Sequence, residues 1–78
     1  MGDDREILQR LVDNLYREKK LVSRLDVIVQ AESSDFPLEL LEIVNLLPPH
    51  TYARQVLCDH LNSSLKGHGW TRRFGTVD

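Results

Sequence analysis

Long hydrophobic runs are missing from this sequence, and so are most of the residues on which site chemistry depends. Its 78 residues include one cysteine, one methionine, one tryptophan, three prolines and four glycines. A lone Cys58 excludes an internal disulfide framework and fits a reducing compartment. No apolar stretch approaches the roughly 20 residues that span a bilayer, so no membrane partner is expected. The opening Met1-Gly2-Asp3-Asp4-Arg5-Glu6 lacks the basic and apolar segments of a secretory signal, which predicts a cytoplasmic chain. There is no phosphate-cradling glycine loop, no histidine pair on one helical turn and no nucleophile elbow.

The same scarcity argues against catalysis. Cys58 and His60 stand two apart, and on a helix such residues point to nearly opposite sides, so they cannot form a nucleophile and base dyad. His50, His60 and His68 with Cys58 offer metal ligands, but none shows the close paired spacing of a structural zinc site. Cys58 reads as a small core-boundary hydrophobe and His60 as a packed histidine. The expectation is a protein without enzymatic activity, cofactor, metal or small-molecule substrate.

What the chain does have is helical periodicity. Asp3 and Glu6 form a capping-box-like start. Apolar residues then recur at Ile7, Leu8, Leu11, Val12 and Leu15, and again at Leu21, Val22, Leu25, Ile28 and Val29, a spacing of helix rather than strand. This predicts one long amphipathic helix over 3–33. Written as heptads, Leu8, Leu15, Val22 and Val29 take one core position and Leu11 and Leu25 the other, with Glu18 and Glu32 interrupting the seam. Ser33-Ser34-Asp35 ends the run. Pro37 suits the first turn of a second helix over 36–47, apolar nearly all round and therefore the most buried. Pro48-Pro49 stops it, Thr51 can cap a third helix over 51–66, and Gly67 can terminate that helix. An aromatic segment, 67–78, follows as a tail or short strand.

These elements describe a single all-α domain over 1–78, a small three-helix bundle with a helix-turn-helix-like second half. The first helix would be roughly 42 Å long, against roughly 15 and 22 Å for the others, so the short helices cover its stripe only end to end. One resolution is a homodimer through Leu8, Leu11, Leu15, Val22, Leu25 and Val29. The other is a monomer whose first helix kinks around Arg17 to Lys20.

Charge is unevenly distributed: residues 1–47 carry 6 basic and 10 acidic side chains, residues 48–78 carry 4 and 2. Arg10, Arg17, Lys20 and Arg24 make a basic ridge on the first helix, ordinarily the solvated face of an amphipathic helix. Two binding functions remain. In the first, the chain is a small regulator or inhibitor that occupies the surface of an unidentified protein partner, with Trp70, Arg72, Arg73 and Phe74 supplying the aromatic and arginine chemistry of interface hot spots. In the second, the helix-turn-helix outline contacts DNA through Arg54, Gln55, Asn62 and Lys66, with Arg72 and Arg73 as a rudimentary wing. The alternative reading of Trp70 and Phe74 is that they close the bottom of the core. An acidic chain with a sequence pI near 5.9 weakens the DNA reading, because phosphate neutralisation dominates duplex affinity.

Overall fold

Polar punctuation divides the chain into more elements than its apolar periodicity suggests. A computed structural model describes residues 4–78, with α1 (Asp4–Leu15), β1 (Leu21–Ser23), α2 (Arg24–Ser33), α3 (Leu38–Asn45), β2 (Thr51–Ala53), α4 (Arg54–Gly67) and α5 (Thr71–Phe74). The fold is mostly helical but not all-α, because β1 and β2 pair as a two-stranded antiparallel sheet. The long helix expected over 3–33 does not form; α1 and α2 are separate helices with a loop and a strand between them. The cap expected at Asp3 lies outside the described residues.

The break has a local cause at each end. After Leu15 come four exposed charged residues, Arg17, Glu18, Lys19 and Lys20, which give a continued helix no apolar face to bury. Tyr16 instead donates its hydroxyl to the Tyr52 carbonyl at 2.8 Å, which ties the end of α1 to β2. At the far side Ser23 and Asp26 form a capping box. The Ser23 Oγ accepts from the Asp26 amide at 3.1 Å, and Asp26 Oδ2 accepts from the Ser23 amide at 3.0 Å. Two free donors of the first turn are thereby satisfied, and α2 starts afresh. The sheet register pairs Leu21 with Ala53, Val22 with Tyr52 and Ser23 with Thr51.

Helices α2 and α4 end alike. Phe36 N–H donates to the Ala31 carbonyl and Asp35 N–H to Glu32, with Asp35 in the left-handed region at φ 53°. Trp70 N–H donates to Leu65 and Gly69 N–H to Lys66, with Gly69 at φ 73°. Both are Schellman closures, in which a left-handed residue lets two amides return to orphan carbonyls. The terminator of α4 is thus Gly69, whereas Gly67 is still helical.

α3 is shorter than expected and less buried. Its inner side presents Leu40, Ile43 and Val44, yet Leu38 is 77% and Leu46 58% exposed. Arg24 at the start of α2 closes its end, donating from Nε to the Leu47 carbonyl at 2.8 Å and from Nη2 to the Asn45 carbonyl at 3.0 Å. A cation at the carbonyl end of a helix satisfies both the acceptors and the dipole. Eight residues, not four, separate α3 from α4, and β2 lies among them, so the tight turn of a helix-turn-helix is not made.

The core gathers Leu8, Leu11, Val12 and Leu15 from α1, Leu57, Cys58, Leu61 and Leu65 from α4, and Tyr52, Phe74 and Val77. The tail forms the short helix α5 and then folds under the bundle. Asn62 clamps it: its Oδ1 accepts from the Val77 amide at 2.8 Å and its Nδ2 donates to the Val77 carbonyl at 2.9 Å.

Candidate protein-binding face

The side chains expected to contact a partner are mostly engaged within the chain. Arg54 reaches Asp13 Oδ1 on α1 at 2.5 Å and the Asp78 carbonyl at 2.8 Å, joining α1, α4 and the tail. Gln55 donates to Asp59 one turn on, and Asn62 holds Val77. Arg73 reaches Glu39 of α3 at 3.4 Å and lies 4.8 Å over the Phe74 ring. Phe74 is fully buried, and Trp70 packs half-buried between His68 and Phe74, with ring centroids 4.9 and 6.1 Å away. The aromatic tail thus closes the core. Lys66 and Arg72 remain exposed.

The expected dimer residues divide in two. Leu8, Leu11, Leu15 and Val22 are buried inside the single chain, because α1 and β1 pack inward against the other elements. They do not form the exposed seam of a dimer. Leu25 is 67% and Val29 55% exposed, since both lie on the outer side of α2, opposite buried Val27 and Ala31.

Beside these two residues runs an open groove of about 480 Å³. Asn14, Leu15, Arg17, Glu18 and Lys19 come from the end of α1 and the following loop, Val22 from β1, and Leu25, Asp26, Val29 and Gln30 from α2. Leu25 also borders a second depression with Arg24, Pro49, His50 and Thr51. A single helix over 3–33 has no such groove, because it exists only where the chain turns back. The Ser23-x-x-Asp26 spacing was the signal that could have located that turn.

Electrostatics at the groove are those of fixed side chains. The hydrogen bond from the Ser23 backbone amide, then the Ser23 side chain and the neighbouring Lys19 ammonium 3.8 Å away, hold the Asp26 carboxyl below its ordinary range. Asp13 is lowered likewise by Gln9 and then Arg54. At Tyr16, Tyr52 and Cys58 burial is the main cause of the shift. Desolvation pushes the Tyr16 phenol up to about 12, and it raises the Cys58 thiol, which favours the unreactive protonated form. His60 is exposed rather than packed in, meeting the Tyr52 ring edge-on at 5.5 Å. Among the described residues, no group of three or more His, Cys, Asp or Glu side chains is placed to hold a metal, and no helix is long and apolar enough to cross a membrane.

No protein-family model matches this chain, and comparison with curated proteins and with solved structures found no match either.

Proposed function

We propose that this chain is a non-enzymatic helical regulator or inhibitor that acts by protein–protein contact, and that the contact is made by the outer side of α2 with its adjoining groove. One observation carries this reading. Leu25 and Val29 stand a single turn apart in solvent, beside a concavity whose floor includes Val22 and Leu15. An apolar strip with a polar rim is the composition of a binding surface rather than of a solvated helix face. The engagement of Arg54, Asn62 and Arg73 within the chain weakens a duplex-DNA role, which would draw on those donors and cations.

The test pairs the wild type with the double variant Leu25→Asp, Val29→Asp. Both positions are exposed, so the variant should keep its helical circular dichroism. Immobilised wild type should retain a stoichiometric protein partner that the variant loses. Equal retention by both proteins, or salt-sensitive duplex binding unaffected by the substitutions, would sink the proposal.

A further inference from the structure

We infer that the occupant of the α2 face is a second copy of this chain, docked with the two α2 helices antiparallel about a two-fold axis. This rests on the α2 face being the contact surface and names what covers it. At about 100° per residue, Leu25, Val29 and Glu32 fall within a stripe about 60° wide on the outer side of α2. The stripe has opposite charges at its two ends. Arg17, Glu18 and Lys19 line the groove beside Leu25 and Lys20 follows them, a segment with three cations to one acid in which Lys19 lies 3.8 Å from Asp26, while Glu32 and then Asp35 stand at the other end. Neither Lys20 nor Glu32 forms an ion pair with another described residue.

That layout is what a two-fold contact needs. In such an interface one patch meets itself, so a patch that bears charge is self-complementary when it carries both signs on either side of an apolar centre. An axis passing between Leu25 and Val29 sets Leu25 against the partner's Val29. Glu32, about 10 Å along the helix from Leu25, then comes beside the partner's Arg17 to Lys20 segment, and the symmetry repeats the contact at the other end. Antiparallel helix dipoles add to the attraction. The exposed stripe of α3, Leu38, Glu42 and Leu46, is less suited to the role: its one charged residue is an acid, which would face its own copy across a two-fold.

Sedimentation equilibrium on the full chain decides this. The wild type should give the mass of two chains at tens of micromolar. Val29→Asp should raise the dissociation constant about 100-fold, because it puts a charge into the apolar centre, with helical circular dichroism unchanged. Glu32→Lys and Lys20→Glu should each raise it about tenfold. An equimolar mixture of those two single variants should regain the wild-type value, because in the mixed pair both end contacts join opposite charges. A one-chain mass throughout overturns the second copy, as does a mass that grows past two chains or a mixture that fails to recover. If that one-chain protein still captures a protein that the Leu25→Asp, Val29→Asp variant loses, the binding face survives and only its occupant was wrong. A two-chain mass that Val29→Asp leaves unchanged places the self-contact elsewhere and likewise overturns the second copy on this face.

Discussion

The side of the molecule built from α1, α4 and the tail differs sharply from the side built from α2 and α3. On the first, every element is tied to another: Arg54 bridges α1 and the tail, Asn62 holds Val77 at two points, and Phe74 is fully buried. On the second, Leu25, Val29, Leu38 and Leu46 stand in solvent, although both helices are well closed at their ends. Exposure there does not come from poor folding. The inner faces of α2 and α3 are packed, and the apolar surplus lies outside them. Polar side chains on the first side are spent on internal connections, and of the residues that resemble a hot spot in the sequence, Trp70, Arg73 and Phe74 hold the structure together while Arg72 stays exposed.

The largest effect should separate the two sides. Phe74→Ala removes a fully buried ring and should cost about 3–5 kcal/mol, whereas Leu25→Ala, at an exposed position, should change chain stability by no more than about 0.5 kcal/mol. Chemical denaturation of both variants under conditions where the wild type is monomeric checks this. Equal losses would erase the distinction.

A smaller effect tests the tail clamp. Asn62→Ala leaves the Val77 amide and carbonyl without their partner and should cost about 1–3 kcal/mol, with faster exchange of the Val77 amide. Unchanged exchange would show that the tail is held by Val77 and Phe74 packing alone.

The smallest sharpens the junction between α1 and the sheet. Tyr16→Phe removes the hydroxyl that donates to Tyr52 and should cost about 1 kcal/mol near neutral pH. Its alkaline behaviour is more telling. Because burial raises the phenol from 10.0 to about 12, the neutral form stabilises the fold fully below pH 10 and that stability falls as pH rises toward 12. Tyr16→Phe should flatten this decline in denaturation experiments between pH 9 and 12, leaving the part due to Tyr52, which burial also raises. An unaltered slope would mean that Tyr16 is not desolvated at this junction.

Much of the fold was legible in the residues. Helical periodicity marked the apolar faces of α1 and α4, Ser33-Ser34-Asp35 and Pro48-Pro49 fell at or just beyond real helix ends, and Cys58, expected as a hydrophobe at the core boundary, lies inside the core. The heptad running Leu8, Leu15, Val22, Val29 was misleading. Its first three members are buried from two different elements, and its fourth is in solvent. Ser23 and Asp26 had the capping spacing all along, but inside an unbroken apolar repeat their helix-start meaning was outweighed. The groove was illegible, since it is formed by residues on both sides of that turn.

Sequence alone determined the local terms: which stretches bury one helical face, where helices can begin and stop, and that the chain lacks familiar catalytic motifs. These depend on neighbours within a few positions, which interact however the rest folds. Only tertiary structure decided that Leu21 to Ser23 becomes a strand, because its partner, Thr51 to Ala53, lies about thirty residues away. The same long-range pairing turned Leu8, Leu11, Leu15 and Val22 inward and left Leu25 and Val29 outside. An apolar side chain is indifferent to whether its cover comes from its own chain or another, so periodicity identifies the surface to be buried and only the packing shows which part remains uncovered.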